Sequence, residues 1–254
     1  DKPILAHEEV LELSHGGVMN EGLVSMSLGL KGMPAAAEEV MIGRDIALAD
    51  VTGGRLHVMH VSTAQGVDLI REAKARGIRV TAEACPHHFT LTDESLRGFD
   101  SNFKMSPPLR TAKDVEGILA GIADGTIDCI ATDHAPHAPE KKLLELDRAP
   151  FGILGLETAV GLSVMRLIES GRIDWSRFVE AISLLPARIL GVNRGTLRPG
   201  AVADVTLIDP SREWQVNAES FASKSVNSPF DGWTLRGRAV ATIVSGRVKY
   251  RLSN

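Results

Sequence analysis

Cysteine is scarce in this chain: two of 254 residues, Cys85 and Cys129. Both fall in strand-like contexts, which points to reduced core thiols and a cytoplasmic setting rather than a disulfide framework. No apolar run approaches the roughly 20 residues that a transmembrane helix needs. Positive charge is not in surplus. The 28 Lys and Arg against 32 Asp and Glu leave a net charge of −4, which argues against nucleic acid or an anionic membrane as a partner. There is no G-x-S-x-G elbow, no HExxH helix and no glycine-rich phosphate loop, so serine-nucleophile and phosphate-cradling chemistries lose their usual signatures. Internal repeats and low-complexity tracts are missing too.

What is present is ordinary globular composition, 44% hydrophobic and 24% charged, in a chain long enough for a sizeable core. Short apolar runs alternate with helical patterns. Pro3 to Ala6 reads as a strand that stops at His7. Pro34 opens a long helix over 35–49, because proline suits a first turn. Residues 55–62 form a second strand, and Ser62 or Thr63 caps the helix that follows. Residues 78–84 form a third strand, leading to Cys85-Pro86-His87-His88. Pro107-Pro108 rules out helix and marks a rim loop. A helix over 114–123 precedes the fourth strand, which ends abruptly at Asp133. Two further helices cover 155–168 and 175–191.

Strand and helix thus alternate four times, the signature of a parallel α/β fold. Reactive side chains gather where strands end, as at the mouth of a (β/α)8 barrel. Four units are half of the eight required. The expectation is therefore a C-terminal half-barrel over residues 1–192, with on the order of 100 residues or more lying before Asp1. Residues 193–254 read differently, as a small β-sandwich module. In it 195–210 is strand, turn, strand, and Ser245-Gly246 closes a hairpin.

His7, His60 and Asp133 each end a different inner strand and should converge. Two imidazoles and a carboxylate form a ligand set suited to Zn²⁺, less well to Mn²⁺ or Fe²⁺. His57 and His60 lie an odd number of residues apart, so a regular strand points them to opposite faces. His60 is assigned inward and His57 toward the helices. His15, His87, His88 and His134 are assigned no place among the ligands.

At these residues the chain resembles the amidohydrolase superfamily and, within it, the class I dihydroorotases. The resemblance runs along essentially the whole chain. It is carried by PILAHEE at 3–9, HVMHVSTA at 57–64, TAEACPHHF at 81–89, KMSPPLR at 104–110, ATDHAPH at 131–137, APFGILGLET at 149–158 and RPGAVADVTLIDP at 198–210. It implies that His7 and His60 bind the second zinc of a binuclear centre. It implies that Asp133 binds the first and serves as general base and acid. His137 matches a substrate-contacting histidine on the loop after the last strand. Phe151 and Gly152 match a segment that holds substrate through its backbone. Ser106, also a substrate-side position, stands where many dihydroorotases carry Asn; hydantoinases and allantoinases often show Ser-Pro-Pro there. The implied activity is the reversible interconversion of L-dihydroorotate and N-carbamoyl-L-aspartate in pyrimidine synthesis. The alternatives are a hydantoinase or allantoinase, or a non-catalytic scaffold for aspartate transcarbamoylase. The implied partners are the N-terminal barrel half, a second copy of the chain in a homodimer, and aspartate transcarbamoylase.

Overall fold

The computed structural model describes residues 2–252. Four parallel strands form the main sheet in the order β1-β4-β5-β6: β1 (Ile4–Ala6), β4 (Leu56–Val58), β5 (Val80–Ala84) and β6 (Cys129–Ile130). Between β1 and β4 lie α1 (Leu11–Ser14), the short parallel pair β2 (Met19–Asn20) and β3 (Gly32–Met33), and α2 (Leu23–Leu28). The crossovers are α3 (Ala36–Thr52), α4 (Ala64–Ala75) and α5 (Ala112–Asp124). Registers run Ile4↔Leu56, Leu56↔Val80 and Glu83↔Cys129.

The alternation of β5 decides which face is which. Val80, Ala82 and Ala84 are buried and join one apolar cluster with Leu56, Val58, Ile42 and Ile46 of α3, Ile70 of α4, and Ile118 and Ile122 of α5. Each such Ile or Leu contributes roughly 1.5–3 kcal/mol through burial. The opposite face carries Leu5, His57 and Thr81 in register, with Glu83 two residues on. His57 therefore points away from the helices, against the sequence expectation. Its ring bonds Thr81 Oγ1 at 2.8 Å and Glu83 Oε2 at 3.1 Å. Strand alternation ends at Val58, and His60 adopts a left-handed backbone with φ +34°. The odd spacing consequently does not separate the two histidines.

Caps set the helix starts. Thr63 accepts from Gly66 N at α4, and Thr111 with Asp114 forms a capping box at α5. Helices α4 and α5 approach closely because α5 presents glycine at the contact. A Cβ on Gly117 would lie 2.5 Å from Ala64 Cβ, and one on Gly121 would lie 2.7 Å from Val67 Cγ1.

Helix α6 (Pro139–Lys142) lies in the loop after Asp133. Helix α7 (Ala159–Ser163) continues into a π-turn over Val164–Ile168. Likewise α8 (Trp175–Val179) passes through a π-turn at Glu180–Leu184 into α9 (Leu185–Leu190).

The last region forms one antiparallel sheet of β7 (Val205–Gln215), β8 (Thr234–Val244) and β9 (Arg247–Arg251). Of the strand, turn, strand expected over 195–210, the first strand does not form: 195–204 is turn and irregular chain around Pro199-Gly200. β7 begins at Val205 and runs past Pro210, whose missing N–H falls at a register shift between Asp209 and Glu213. Ser245 and Gly246 both have positive φ, the requirement of a tight hairpin turn. Leu235, Phe230 and Val216 pack with Leu91, Leu109 and Leu162, joining this sheet to the rim loop and α7.

Candidate functional site

Three of the four parallel strands of the main sheet deliver the expected side chains at or just past their C-terminal ends. His7 follows β1 directly, His60 lies two residues past β4, and Asp133 three past β6. His7 Nδ1 and His60 Nε2 face each other at 3.0 Å, with ring centroids 4.8 Å apart. Two nitrogens on a tetrahedral Zn²⁺ would be about 3.3 Å apart, given bonds of about 2.0–2.1 Å. The pair thus fits a shared ion with little movement. His60 is 4% exposed, and its Nδ1 has no hydrogen-bond partner among the described residues. Burial lowers its pKa, the charge of His7 lowers it further, and Asp133 opposes both. A neutral imidazole is the form that binds metal. His7 Nε2 is held by Glu9 Oε2 at 3.1 Å, the orienting contact that ligating histidines usually carry.

Asp133, like His60, sits at positive φ, here +42°. Left-handed backbone at a residue other than glycine costs on the order of 1–3 kcal/mol and collects at functional sites. Both candidate ligands therefore carry backbone strain.

Ser106 shares a small cleft with His7, Glu8, Glu9 and Pro107. A larger cavity of about 310 Å³ lies beside Asp124, Gly125, Asp128 and Arg177, near the strand starts, and none of the expected residues lines it.

His137, Phe151 and Gly152 come together as one loop junction. His137 Nε2 bonds Phe151 O at 2.7 Å, so that nitrogen carries the proton. Gly152 N donates to Lys104 O at 2.9 Å, and Gly152 O accepts from Lys142 Nζ and Asn227 Nδ2 at 3.1 Å each. The backbone of Gly152 is engaged in holding the loop itself. His134 does not reach the cleft through its Nδ1, which accepts from Gly155 N and Leu156 N.

Sequence reasoning passed over several groups. Lys104 Nζ donates to Leu146 O and Ala149 O at 2.6 Å each, and Lys142 Nζ to Pro150 O at 3.0 Å. Burial, with help from Lys104, brings the Lys142 pKa down to about 8. Cys85, His87 and His88 are buried together with ligand-type atoms within 4.8 Å of one another. Such a group could hold a metal ion. His88 Nε2 bonds Pro107 O at 2.9 Å. No local pattern marks Lys104 or Lys142, because the carbonyls they bond come from other segments. Beneath the site, buried Glu38 accepts from Ser62 N and Thr63 N at 3.0 Å, while Arg110 bonds Ser62 Oγ, Asn20 Oδ1 and Met33 O.

The model of the amidohydrolase family matches residues 33–249. The chain is 55% identical over 248 residues to the dihydroorotase of Citrifermentans bemidjiense, covering 98% of this chain and 58% of that protein. It is 58% identical over 245 residues to the dihydroorotase of Pelotomaculum thermopropionicum, covering 96% of this chain and 57% of that one. Among solved structures, the L-hydantoinase (dihydropyrimidinase) of Arthrobacter aurescens superposes with a TM-score of 0.87 at 29% identity, over 99% of this chain and 57% of that chain. The D-hydantoinase of a Thermus species gives 0.85 at 28%, over 98% and 57%. The chain thus spans a little over half the length of the relatives it matches.

Proposed function

Since this chain belongs to the amidohydrolase family, we propose that it carries half of a metal-assisted cyclic-amide hydrolase site, and that the whole protein is a dihydroorotase. The observation that carries this reading is the 3.0 Å approach of His7 Nδ1 to His60 Nε2 at the ends of two parallel strands, with Asp133 at the end of a third. Identity above one half to proteins named dihydroorotase supports dihydroorotate as the substrate. In this reading residues 1–192 are the last four units of a (β/α)8 barrel, and 193–254 belong to a β-sandwich.

His7, His60 and Asp133 would hold Zn²⁺, which when bound supplies Lewis acidity toward the ring carbonyl and toward water. The rest is done by the chain's own groups. Asp133 accepts the proton of the attacking water and returns it to the leaving ring nitrogen, and in the reverse direction the order inverts. His137 contacts the substrate, held by Phe151 O. Ser106 offers a hydroxyl at the cleft. The remaining ligands and the groups that take the substrate carboxylate belong to the other barrel half.

A hydantoinase is the second reading, favoured by Ser106-Pro107-Pro108 and by the hydantoinase structures that superpose. The closer identity to dihydroorotases outweighs it. The His7, His60 and Asp133 set, intact in this chain, speaks against a scaffold without activity. The test is an assay of the full-length, metal-loaded protein with L-dihydroorotate and with hydantoin. Turnover of dihydroorotate is expected; turnover of hydantoin alone would make the second reading the right one.

A further inference from the structure

Asn227 lies in the small C-terminal region, 90 residues from His137 in sequence, yet its side chain is built into the loop after Asp133. It is 3% exposed. Its Oδ1 accepts from His137 N at 3.1 Å. Its Nδ2 donates to Ala135 O at 2.9 Å and to Gly152 O at 3.1 Å. Its own carbonyl accepts from Leu154 N at 3.1 Å. The two carbonyl partners and the one N–H partner fix the amide's orientation, and both amide protons are used. One side chain thus ties the outgoing limb of the loop (135–137) to the returning limb (152–154). Phe230, three residues on, is 1% exposed and sits in the apolar cluster that joins this region to the rim.

We propose that Asn227 is a positioning residue for substrate binding, a brace that holds His137 and Gly152 in register from the C-terminal region. The proposal rests on the reading of His137 as a substrate contact. His137 is fixed at two points, its main-chain N–H by Asn227 and its ring Nε2 by Phe151 O. Nδ1 is the ring's remaining polar atom. Freeing the main chain lets that atom drift, and a hydrogen bond weakens steeply with misalignment.

The test uses Asn227→Asp and Asn227→Ala in the full-length enzyme. Asp keeps the shape and the acceptor for His137 N, but sets one carboxylate oxygen against Ala135 O and Gly152 O. Both variants should raise KM for dihydroorotate about tenfold or more, the scale of losing hydrogen bonds that fix one substrate contact. Their kcat should stay within about twofold, and metal content should be unchanged, since neither the metal-side groups nor the proton carrier is touched. In Asn227→Ala, which removes the acceptor of His137 N, amide exchange at His137 should speed up, while Gly152 N–H, bonded to Lys104 O, stays protected. Unchanged KM, or kcat and metal lost together with affinity, would overturn the brace. Should the wild-type enzyme not turn over dihydroorotate, the functional reading fails, and exchange at His137 then decides the brace by itself: no acceleration rejects it.

Discussion

Gly152 leaves no room for a methyl group beside His137. A Cβ placed there would sit 2.7 Å from His137 Nε2 and 2.8 Å from Ala135 Cβ, and the backbone φ is +144°. Both the conformation and the contact demand glycine. Gly152→Ala should therefore push the imidazole off Phe151 O. The expected cost is about 1–3 kcal/mol in folding stability, with a raised KM and full metal content. Thermal unfolding and KM on one preparation check this; a wild-type KM would mean that His137 does not face substrate.

Asp133→Asn keeps the shape and one coordinating oxygen but cannot take a proton. Losing a general base alone costs about 10²–10⁴ in rate. The fold should persist and metal affinity fall in part, with kcat nearly abolished in both directions. Activity above about a tenth of wild type at full metal content would contradict the role given to Asp133.

Helix α5 meets α4 through glycine. Gly117→Ala would gain up to about 1 kcal/mol of helix propensity in isolation. Here the new methyl group meets Ala64 Cβ at 2.5 Å. Overpacking of this kind costs about 1–3 kcal/mol, so net destabilisation is expected by denaturant titration. Gly43 on α3, with nothing within 4 Å of its would-be Cβ, is the control: Gly43→Ala should stabilise.

Acid should destabilise the fold partly through His88. Burial, resisted by its bond to Pro107 O, brings the pKa down to about 3 from an ordinary 6.5. Between those values the unfolded chain binds a proton that the folded chain refuses, so stability falls as pH drops from 6.5 toward 3. His88→Gln can keep the bond to Pro107 O and removes the titration. The slope of stability against pH over that range should flatten. An unchanged slope would place the acid sensitivity elsewhere.

Both thiols should resist alkylation at neutral pH while the protein is folded. Cys85 and Cys129 are buried. Burial pushes the Cys129 pKa up to about 12 and raises that of Cys85 well above the usual value. Thiolate is the reactive form. Iodoacetamide labelling by mass, native against denatured, gives the answer; rapid native labelling of Cys85 would show the site interior to be open.

The positions of His7, His60 and Asp133 were legible because a strand end is a local signal: an apolar run stops, and the next polar side chain lies at the mouth. Facing was less legible. Counting by twos sent His57 outward, because nothing in 57–60 announces that alternation stops at Val58 and that His60 turns left-handed. The hairpin at Ser245-Gly246 was readable from its turn residues, whereas the passage of β7 through Pro210 was not, since a register shift depends on the partner strand. Lys104, Lys142 and Asn227 were invisible for a related reason. Each is an ordinary polar residue whose meaning lies in carbonyl oxygens between 8 and 92 residues away.

The shared apolar cluster of Phe230, Leu235 and Val216 with Leu91, Leu109 and Leu162 bears on how such a chain can change over generations. A substitution on either side of residue 193 is felt on the other, so the two regions cannot drift as independent modules. Grafting residues 193–254 onto a different α/β chain would carry over the sheet but strand Phe230 and Leu235 without their counterparts. Recombination near that point should therefore succeed only between chains whose rim loops and C-terminal sheets have changed in step.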